Sequence, residues 1–281
     1  MTFDAQKIRP DFPALATGTA FFDGPGGTQT PLCVGAAIAS TLTGPLSIRG
    51  TGSPSQQNAE DAVTGFRSAM ADFFVCSAYK FFGPHCGILA AAPALLESIH
   101  PDKLAPSSDQ VPERFELGTL PYETLAGVTA AVDFLAGLGE GGGAGSGGGS
   151  EDGGEGGGGS AGTSRRDRLI RSSRALEHHE ETLRGECEAG LAELPGIRLH
   201  SRAAVRTPTV LVTFADHDAA DASRYLAARG ILAPAGSFYA LEAYRHLGLG
   251  DGGGLRIGLA PYSTGDEVAR LLGALRDFLR G

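Results

Sequence analysis

A glycine-rich tract near the middle of the chain limits what the chain can fold into. Fifteen of the twenty-four residues from 139 to 162 are glycine, and most of the others are alanine, serine, glutamate and aspartate. Such a segment buries too little apolar surface to offset the backbone entropy lost on folding, so it predicts a flexible tether. We therefore predict a first domain over residues 1–136, a linker over 137–163 and a second α/β domain over 164–281.

Length, charge and cysteine usage narrow the possible classes of function. The 281 residues, 42% of them hydrophobic, suffice for two modest domains with real cores. A net charge of −9 leaves no basic surplus to neutralise phosphates, so a general nucleic-acid binder is not expected. No apolar run approaches the length of a membrane span, and the residues after Met1 form no leader pattern. The four cysteines lack metal-ligand spacing, which predicts no metal site and reduced thiols in a cytoplasmic protein.

The residues after the glycine tract alternate between helical and strand patterns. They predict helices over 164–194, 218–229 and 264–279 and strands over 207–214 and 255–259. Gly230 is placed to end the second of these helices, and Thr264 with Glu267 forms a capping box at the start of the last. This order predicts a small sheet with helices on one face.

The residues before the tract give a sparser pattern. They predict a strand at 19–23 and helices over 30–42, 58–73 and 93–99. With the apolar run that follows residue 73, only two or three strands are recoverable here. That number is small for a parallel sheet that binds a cofactor.

The run FFVCSAYKFFGPHCG at residues 73–87 carries the most informative lysine of the chain. An apolar, β-prone segment is followed by Ser77, Lys80 and a Gly-Pro break. A lysine at the end of a buried strand has its pKa lowered by desolvation, as an amine that attacks a carbonyl carbon requires. The Ser77 hydroxyl is placed to bind a phosphate. For any single lysine, the alternative is simple exposure to solvent at a strand exit.

This run and four other segments resemble, in the same order, motifs of the class V aminotransferase and cysteine desulfurase family. The other segments are FFDGPGGT at 21–28, RGTG at 49–52, FELGTLP at 115–121 and LRIGLAPYST at 255–264. The resemblance covers nearly the whole chain except the glycine tract. It implies an α/β protein similar to the fold type I pyridoxal-phosphate transferases, with a shortened large-domain sheet and a small C-terminal α/β domain.

The resemblance also implies a pyridoxal 5′-phosphate cofactor, a small amino acid as substrate and a homodimer. Lys80 is then the catalytic residue, which holds the cofactor as an aldimine and moves the α-proton of the substrate. The further cofactor-binding residues implied are Ser77, Tyr79, Gly118 and Thr119, and the Thr119 hydroxyl reaches the phosphate bound in the partner subunit. The substrate-binding residues implied are Arg256, Arg49 and Gly24. Arg256 offers a planar fork for the α-carboxylate, although a surface ion pair is its alternative role.

Two departures from the family pattern predict impaired activity. The family carries a large block before the lysine strand, whereas here Phe74 runs directly into Val75. That block supplies a phosphate-binding loop, the residue stacked on the cofactor ring and the aspartate that keeps the ring nitrogen protonated. The loop at 233–242 occupies the position of the sulfur-attacking cysteine of cysteine desulfurases but contains no cysteine, and Cys86 lies at another motif position.

Two other functions remain open from the sequence. One is a non-catalytic remnant of the family that binds the cofactor weakly or only dimerises. The other is a serine acyl hydrolase, because Ser77 and Lys80 match the SxxK pattern. That chemistry needs the serine at a helix N-terminus with SDN-like and KTG-like partners. The chain has only a partial SDN match at Ser108 and no KTG.

Overall fold

The chain folds into two compact units in the computed structural model, which describes residues 3–69, 74–116, 118–140, 164–200 and 203–281. The first unit comprises Met1–Gln29 and Ala136–Gly281, and the second comprises Thr30–Leu135. Most of the predicted linker, residues 141–163, lies outside the described residues. Within the described ranges, no helix combines the length and the apolar character needed to cross a membrane.

Helices and strands of both units follow one another along the chain. The helices are α1 (Ala5–Ile8), α2 (Leu32–Thr43), α3 (Pro54–Ala69), α4 (Pro93–Glu97), α5 (Tyr122–Gly137), α6 (Arg165–Ala192), α7 (Ala219–Ala227), α8 (Leu241–His246) and α9 (Gly265–Phe278). The strands are β1 (Ala20–Phe21), β2 (Phe74–Ser77), β3 (Gly87–Ala90), β4 (Ile197–Leu199), β5 (Thr209–Phe214), β6 (Ile231–Leu232), β7 (Ala235–Gly236) and β8 (Gly254–Gly258). The predicted α/β class is confirmed.

The first unit is built on an antiparallel sheet in the order β4-β5-β8-β7. Successive side chains of a strand point to opposite faces, and on β5 this places Val210 and Val212 in the core, where both are fully buried. Apolar side chains of α6, α7 and α9 complete the same core. These three helices and the strands β5 and β8 are those that the sequence predicted. The short strands β4, β6 and β7 were not predicted.

Helix ends in the first unit follow the sequence signals. The Thr264 hydroxyl accepts a hydrogen bond from the Glu267 backbone N–H, and the Glu267 carboxylate accepts one from the Thr264 backbone, so the predicted capping box is confirmed. Gly230 follows α7 at φ 67°, a left-handed conformation that glycine adopts without steric cost.

The N-terminal segment belongs to the first unit, which differs from the predicted domain boundary. Strand β1 pairs in parallel with β6. The Arg9 guanidinium donates two hydrogen bonds to the Glu267 carboxylate, at 3.0 and 2.9 Å. The Phe12 ring lies edge-on to Tyr262 at 5.0 Å. These contacts join residues more than two hundred positions apart in sequence, which no local pattern predicts.

The second unit contains a hairpin of β2 and β3 together with helices α2 to α4 and most of α5. Ile88 of β3 is buried with Ala78 and Val128. On the other face, Val75 and its cross-strand partner Leu89 are 69% and 60% exposed. In the described part of this unit the sheet has two strands, as the predicted shortened sheet requires.

The start of the predicted linker is structured. Helix α5 continues to Gly137, and a 3₁₀ turn follows over Leu138–Glu140. The Leu138 side chain is buried, and the Gly139 N–H donates a hydrogen bond to Ser172 Oγ at 2.8 Å. The prediction of a flexible segment is therefore wrong for residues 137–140, because Leu138 provides apolar surface that the glycine count overlooks.

Glu180 on α6 gives the first unit a testable dependence on pH. The carboxyl is half buried, and burial raises its pKa from 4.5 to about 7. As the pH rises from 4.5 to 7, the unfolded chain loses this proton while the folded chain keeps it, so stability falls through that window. Glu180→Gln should therefore raise the free energy of unfolding by about 2 kcal/mol near pH 8 and leave it nearly unchanged near pH 4.

Urea denaturation at both pH values measures this difference. Glu177→Gln, at an exposed position of the same helix, is the matched control and should change stability by less than about 0.5 kcal/mol at either pH. An equal effect of Glu180→Gln at both pH values would contradict the burial of this carboxyl.

Candidate functional site

Lys80 lies in a tight turn at the end of β2. The strand ends at Ser77, and a 3₁₀ turn spans Ala78–Lys80. The backbone N–H groups of Phe81 and Gly83 both donate to the Ala78 carbonyl at 2.9 Å. The Lys80 side chain is exposed, and its Nζ lies 5.8 Å from the centre of the Tyr79 ring.

The predicted burial of the lysine strand is wrong. Val75 is exposed, as is Lys80 itself, because a two-stranded sheet has too few neighbours to cover both of its faces. The Lys80 amine is therefore open to solvent and not enclosed as the sequence suggested. The acyl-hydrolase geometry is also not formed, because Ser77 precedes a three-residue 3₁₀ turn and not an α-helix.

The backbone just after Lys80 is strained and is held in place by packing. Phe82 is buried and has φ 74°, a left-handed conformation that costs a bulky residue about 1–2 kcal/mol. Its ring packs edge-on to Phe134 at 5.7 Å. A Cβ on Gly83 would lie 2.8 Å from Ala78 Cβ, so this position requires glycine. The backbone that carries Lys80 is thus held in one conformation by packing on its far side.

The side chains around the lysine turn are aromatic and thiol groups. The Tyr79 ring stacks on His85, with ring centres 4.9 Å apart and planes 18° apart. Cys76 and Cys86 pack against the Ala78 cluster. Burial raises the pKa of both thiols, so neither is activated as a nucleophile.

The remaining predicted site residues of the second unit differ in their exposure and in their hydrogen bonds. Gly118 and Thr119 are exposed, and Gly118 has φ 80°. The Arg49 guanidinium donates to the carboxylates of Glu60 and Glu113, at 2.9 to 3.2 Å. These hydrogen bonds hold the pKa of Glu60 below its ordinary value. Arg49 therefore serves an ion-pair network within this unit.

Arg256 occupies a different environment, on β8 of the first unit. Its Cζ lies 3.9 Å from the centre of the Phe238 ring. Its Nε is buried, and none of the described residues accepts a hydrogen bond from it. Burial lowers the pKa of the guanidinium, and Tyr244 and Asp23 partly offset that effect. A half-buried arginine without an acceptor has hydrogen-bonding capacity for an anion.

The turn at Gly24–Gly26 docks beside Arg256. The Gly258 N–H donates to the Phe22 carbonyl at 2.8 Å, and a Cβ on Gly258 would lie 2.1 Å from Pro25 Cδ. A Cβ on Gly26 would approach Arg256 Nη2 to 3.1 Å. Gly24 is buried, but a Cβ there would make only ordinary contacts, the nearest at 3.6 Å. Glycines at 258 and 26 thus allow the turn and the guanidinium to lie close together.

The sequence did not identify Asp23 and Phe238, which lie near Arg256, or Tyr239, which follows Phe238. Asp23 is half buried, its Oδ1 has no partner among the described residues, and burial raises its pKa. Phe238 and Tyr239 have φ 51° and 64°. With Phe82, these are the described non-glycine residues at positive φ. Strained residues cluster at functional sites, and here Phe82 closely follows Lys80 in the chain while Phe238 contacts Arg256.

The segment around Arg256 also decides the relationship of the chain to known proteins. Residues 170–271 match the family model described as Aminotransferase class-V. They include β5, β8 and the loop at 233–242 that carries Phe238, here called the Phe238 loop. This segment is therefore similar to part of the class-V aminotransferases. An uncharacterized protein of Mycobacterium tuberculosis (strain CDC 1551 / Oshkosh) is 30% identical over 213 residues, which cover 74% of this chain and 48% of that protein. The chain thus spans about half the length of the curated relative that it matches.

Two solved structures have the same fold as this chain. The cysteine desulfurase CsdA from Escherichia coli aligns with a TM-score of 0.75 at 15% identity, over 100% of this chain and 99% of the other. An apo cysteine desulfurase from Thermococcus onnurineus NA1 aligns with a TM-score of 0.74 at 14% identity, with the same coverage. The predicted fold type I architecture is confirmed.

Proposed function

We propose that the chain is a pyridoxal-phosphate-dependent protein of the class V aminotransferase and cysteine desulfurase type, a homodimer that acts weakly on a small amino acid. The observation that carries this proposal is the half-buried Arg256 guanidinium, which has no acceptor among the described residues and lies in the segment that matches the family. An α-carboxylate is a planar acceptor of the size and charge that such a fork binds.

The residues present fit attachment of the cofactor at Lys80. The chain has three lysines: Lys7, Lys80 and Lys103. Lys103 Nζ is held by the Ser107 carbonyl at 2.8 Å and by Asp109 Oδ1 at 2.9 Å. The amine of Lys80 is exposed, and the turn that carries it is held in one conformation by the packing of Phe82.

Each proposed residue has a distinct task. Lys80 attaches the cofactor and exchanges a proton at the substrate α-carbon, and the hydroxyls of Ser77 and Thr119 bind phosphate oxygens. Tyr79 and Gly118 are the further cofactor-binding residues, next to Lys80 and Thr119 in the chain. Arg256 binds the α-carboxylate of the substrate. When bound, pyridoxal phosphate supplies an electron sink for the bond broken at the α-carbon. We infer weak activity because the family block with the ring-stacking group and the ring-nitrogen aspartate is missing before Val75.

A panel of small amino acids tests the proposal, with transamination, racemisation and sulfur release assayed in the presence of pyridoxal phosphate. We expect slow turnover, which Lys80→Ala lowers by about 10²- to 10⁴-fold. Arg256→Ala should raise KM by about 10- to 100-fold with a smaller change in kcat, because it removes a charge-assisted contact to the substrate. Arg229→Ala, which removes another arginine of the first unit, is the control. Turnover that is independent of both Lys80 and Arg256 would refute the proposal.

The exposure of Lys80 favours a second candidate, a non-catalytic remnant that binds the cofactor weakly. An exposed amine forms imines with pyridoxal phosphate but lacks the tuning that burial provides. In that case the panel gives no turnover above free pyridoxal phosphate, while the cofactor still attaches at Lys80.

A further inference from the structure

An aromatic ring, and not an acid, holds the Arg256 guanidinium. The Cζ of Arg256 lies 3.9 Å from the centre of the Phe238 ring. A ring face attracts a guanidinium through its quadrupole and leaves the N–H donors of the fork unoccupied. In the part of the chain that the structure describes, no acceptor takes those donors.

The Phe238 loop is anchored to the strand that carries Arg256. Gly236 of β7 pairs with Gly254 of β8, and the Arg256 backbone N–H donates to the Pro234 carbonyl at 2.9 Å. A Cβ on Gly253 would lie 2.2 Å from the carbonyl carbon of Gly236, so the two backbones are in direct contact. This anchoring fixes the position of the ring relative to the arginine, and it accounts for the persistence of the positive φ at Phe238.

Asp23 illustrates how an acidic partner of Arg256 would differ from an aromatic one. Its carboxylate interacts electrostatically with Arg256, but the two side chains form no ion pair among the described contacts. An ion pair would occupy the fork with an internal acceptor and exclude a ligand. The aromatic partner stabilises the cation and keeps the fork open.

We propose that Phe238 is a positioning residue that aligns the Arg256 guanidinium for a two-point hydrogen bond with a small carboxylate. The proposal rests on the proposed function only in taking a carboxylate as the ligand of Arg256. Phe238, Arg256 and Asp23 all belong to the first unit, whereas Lys80 belongs to the second, so carboxylate binding can be measured on the cofactor-free chain.

The test is a titration of the full, cofactor-free chain with propionate, followed by the ¹⁵N resonance of Arg256 Nε, which is assigned by its absence in Arg256→Lys. We expect the dissociation constant to rise about five- to tenfold in Phe238→Ala. Phe238→Tyr and Phe238→Trp, which keep a ring, should bind within about twofold of the wild type. Phe238→Leu, which keeps the apolar bulk without a ring, should bind as weakly as Phe238→Ala.

A second stacked arginine provides the matched control. The Arg229 Cζ lies 3.5 Å from the Tyr225 ring in the same unit, and Tyr225→Ala should leave propionate affinity unchanged. Wild-type affinity in Phe238→Leu, at unchanged melting temperature, would overturn the proposal. Undiminished propionate binding in Arg256→Ala, measured by calorimetry because that variant lacks the Nε resonance, would overturn it as well. Absence of pyridoxal phosphate at Lys80 would refute the proposed function and leave this result intact.

Discussion

Replacing Gly258 with alanine should destabilise the first unit by about 2–3 kcal/mol or more. The added Cβ would lie 2.1 Å from Pro25 Cδ and 2.4 Å from its Cγ. Pro25 cannot yield without breaking the turn at Gly24–Gly26, and Gly258 cannot yield without disturbing β8. The loss is measured as a shift in the urea midpoint, followed by circular dichroism because the chain has no tryptophan.

Gly273→Ala is the control for this change. Gly273 lies within α9, and nothing lies within 4 Å of the Cβ position. Alanine there should leave stability unchanged or raise it by up to about 1 kcal/mol, since glycine is the poorer helix former. If Gly258→Ala were as stable as Gly273→Ala, the N-terminal turn would not dock on β8.

Local sequence patterns predicted the long elements of the first unit. Helices α6 and α9 and strands β5 and β8 carry apolar residues at the spacing of their own secondary structure, so each is visible without its neighbours. Strands β6 and β7 have only two residues each and exist through pairing with distant segments. The assignment of residues 1–29 to the first unit depends likewise on non-local contacts such as Arg9 with Glu267.

The sequence predicted the positions of the candidate residues but not their surroundings. The motifs located Lys80 at a strand end and Arg256 on a strand, and the structure places both so. Burial of Lys80 was predicted wrongly because it depends on strands that a two-stranded sheet lacks. The Phe238 ring was overlooked because a non-glycine residue at positive φ leaves no compositional signal. Asp23 was visible in the motif at 21–28, but only burial shows that its carboxylate lacks a partner.

Lys80→Ala should abolish the attachment of pyridoxal phosphate to the chain. The amine is the one atom of this turn able to form a covalent bond to the cofactor aldehyde, and no neighbouring lysine replaces it. Absorbance titration with pyridoxal phosphate should show a protein-dependent long-wavelength band in the wild type and none in Lys80→Ala.

Lys7→Ala is the matched control for this loss, because Lys7 is likewise exposed but lies on α1 of the first unit. It should keep the wild-type band. Equal loss of the band in the two variants would indicate reaction with exposed amines in general.

Borohydride reduction of the cofactor-treated chain, followed by peptide mapping, tests the central claim most directly. Reduction converts a reversible bond into a stable pyridoxyl group that mass spectrometry assigns to one of three lysines or to the terminal amine. At one equivalent of cofactor, the label should lie on the peptide that contains residues 77–84, with little on those that contain Lys7 and Lys103. A label spread evenly over Lys7 and Lys80, or absent from Lys80, would contradict the assignment of Lys80 as the cofactor lysine.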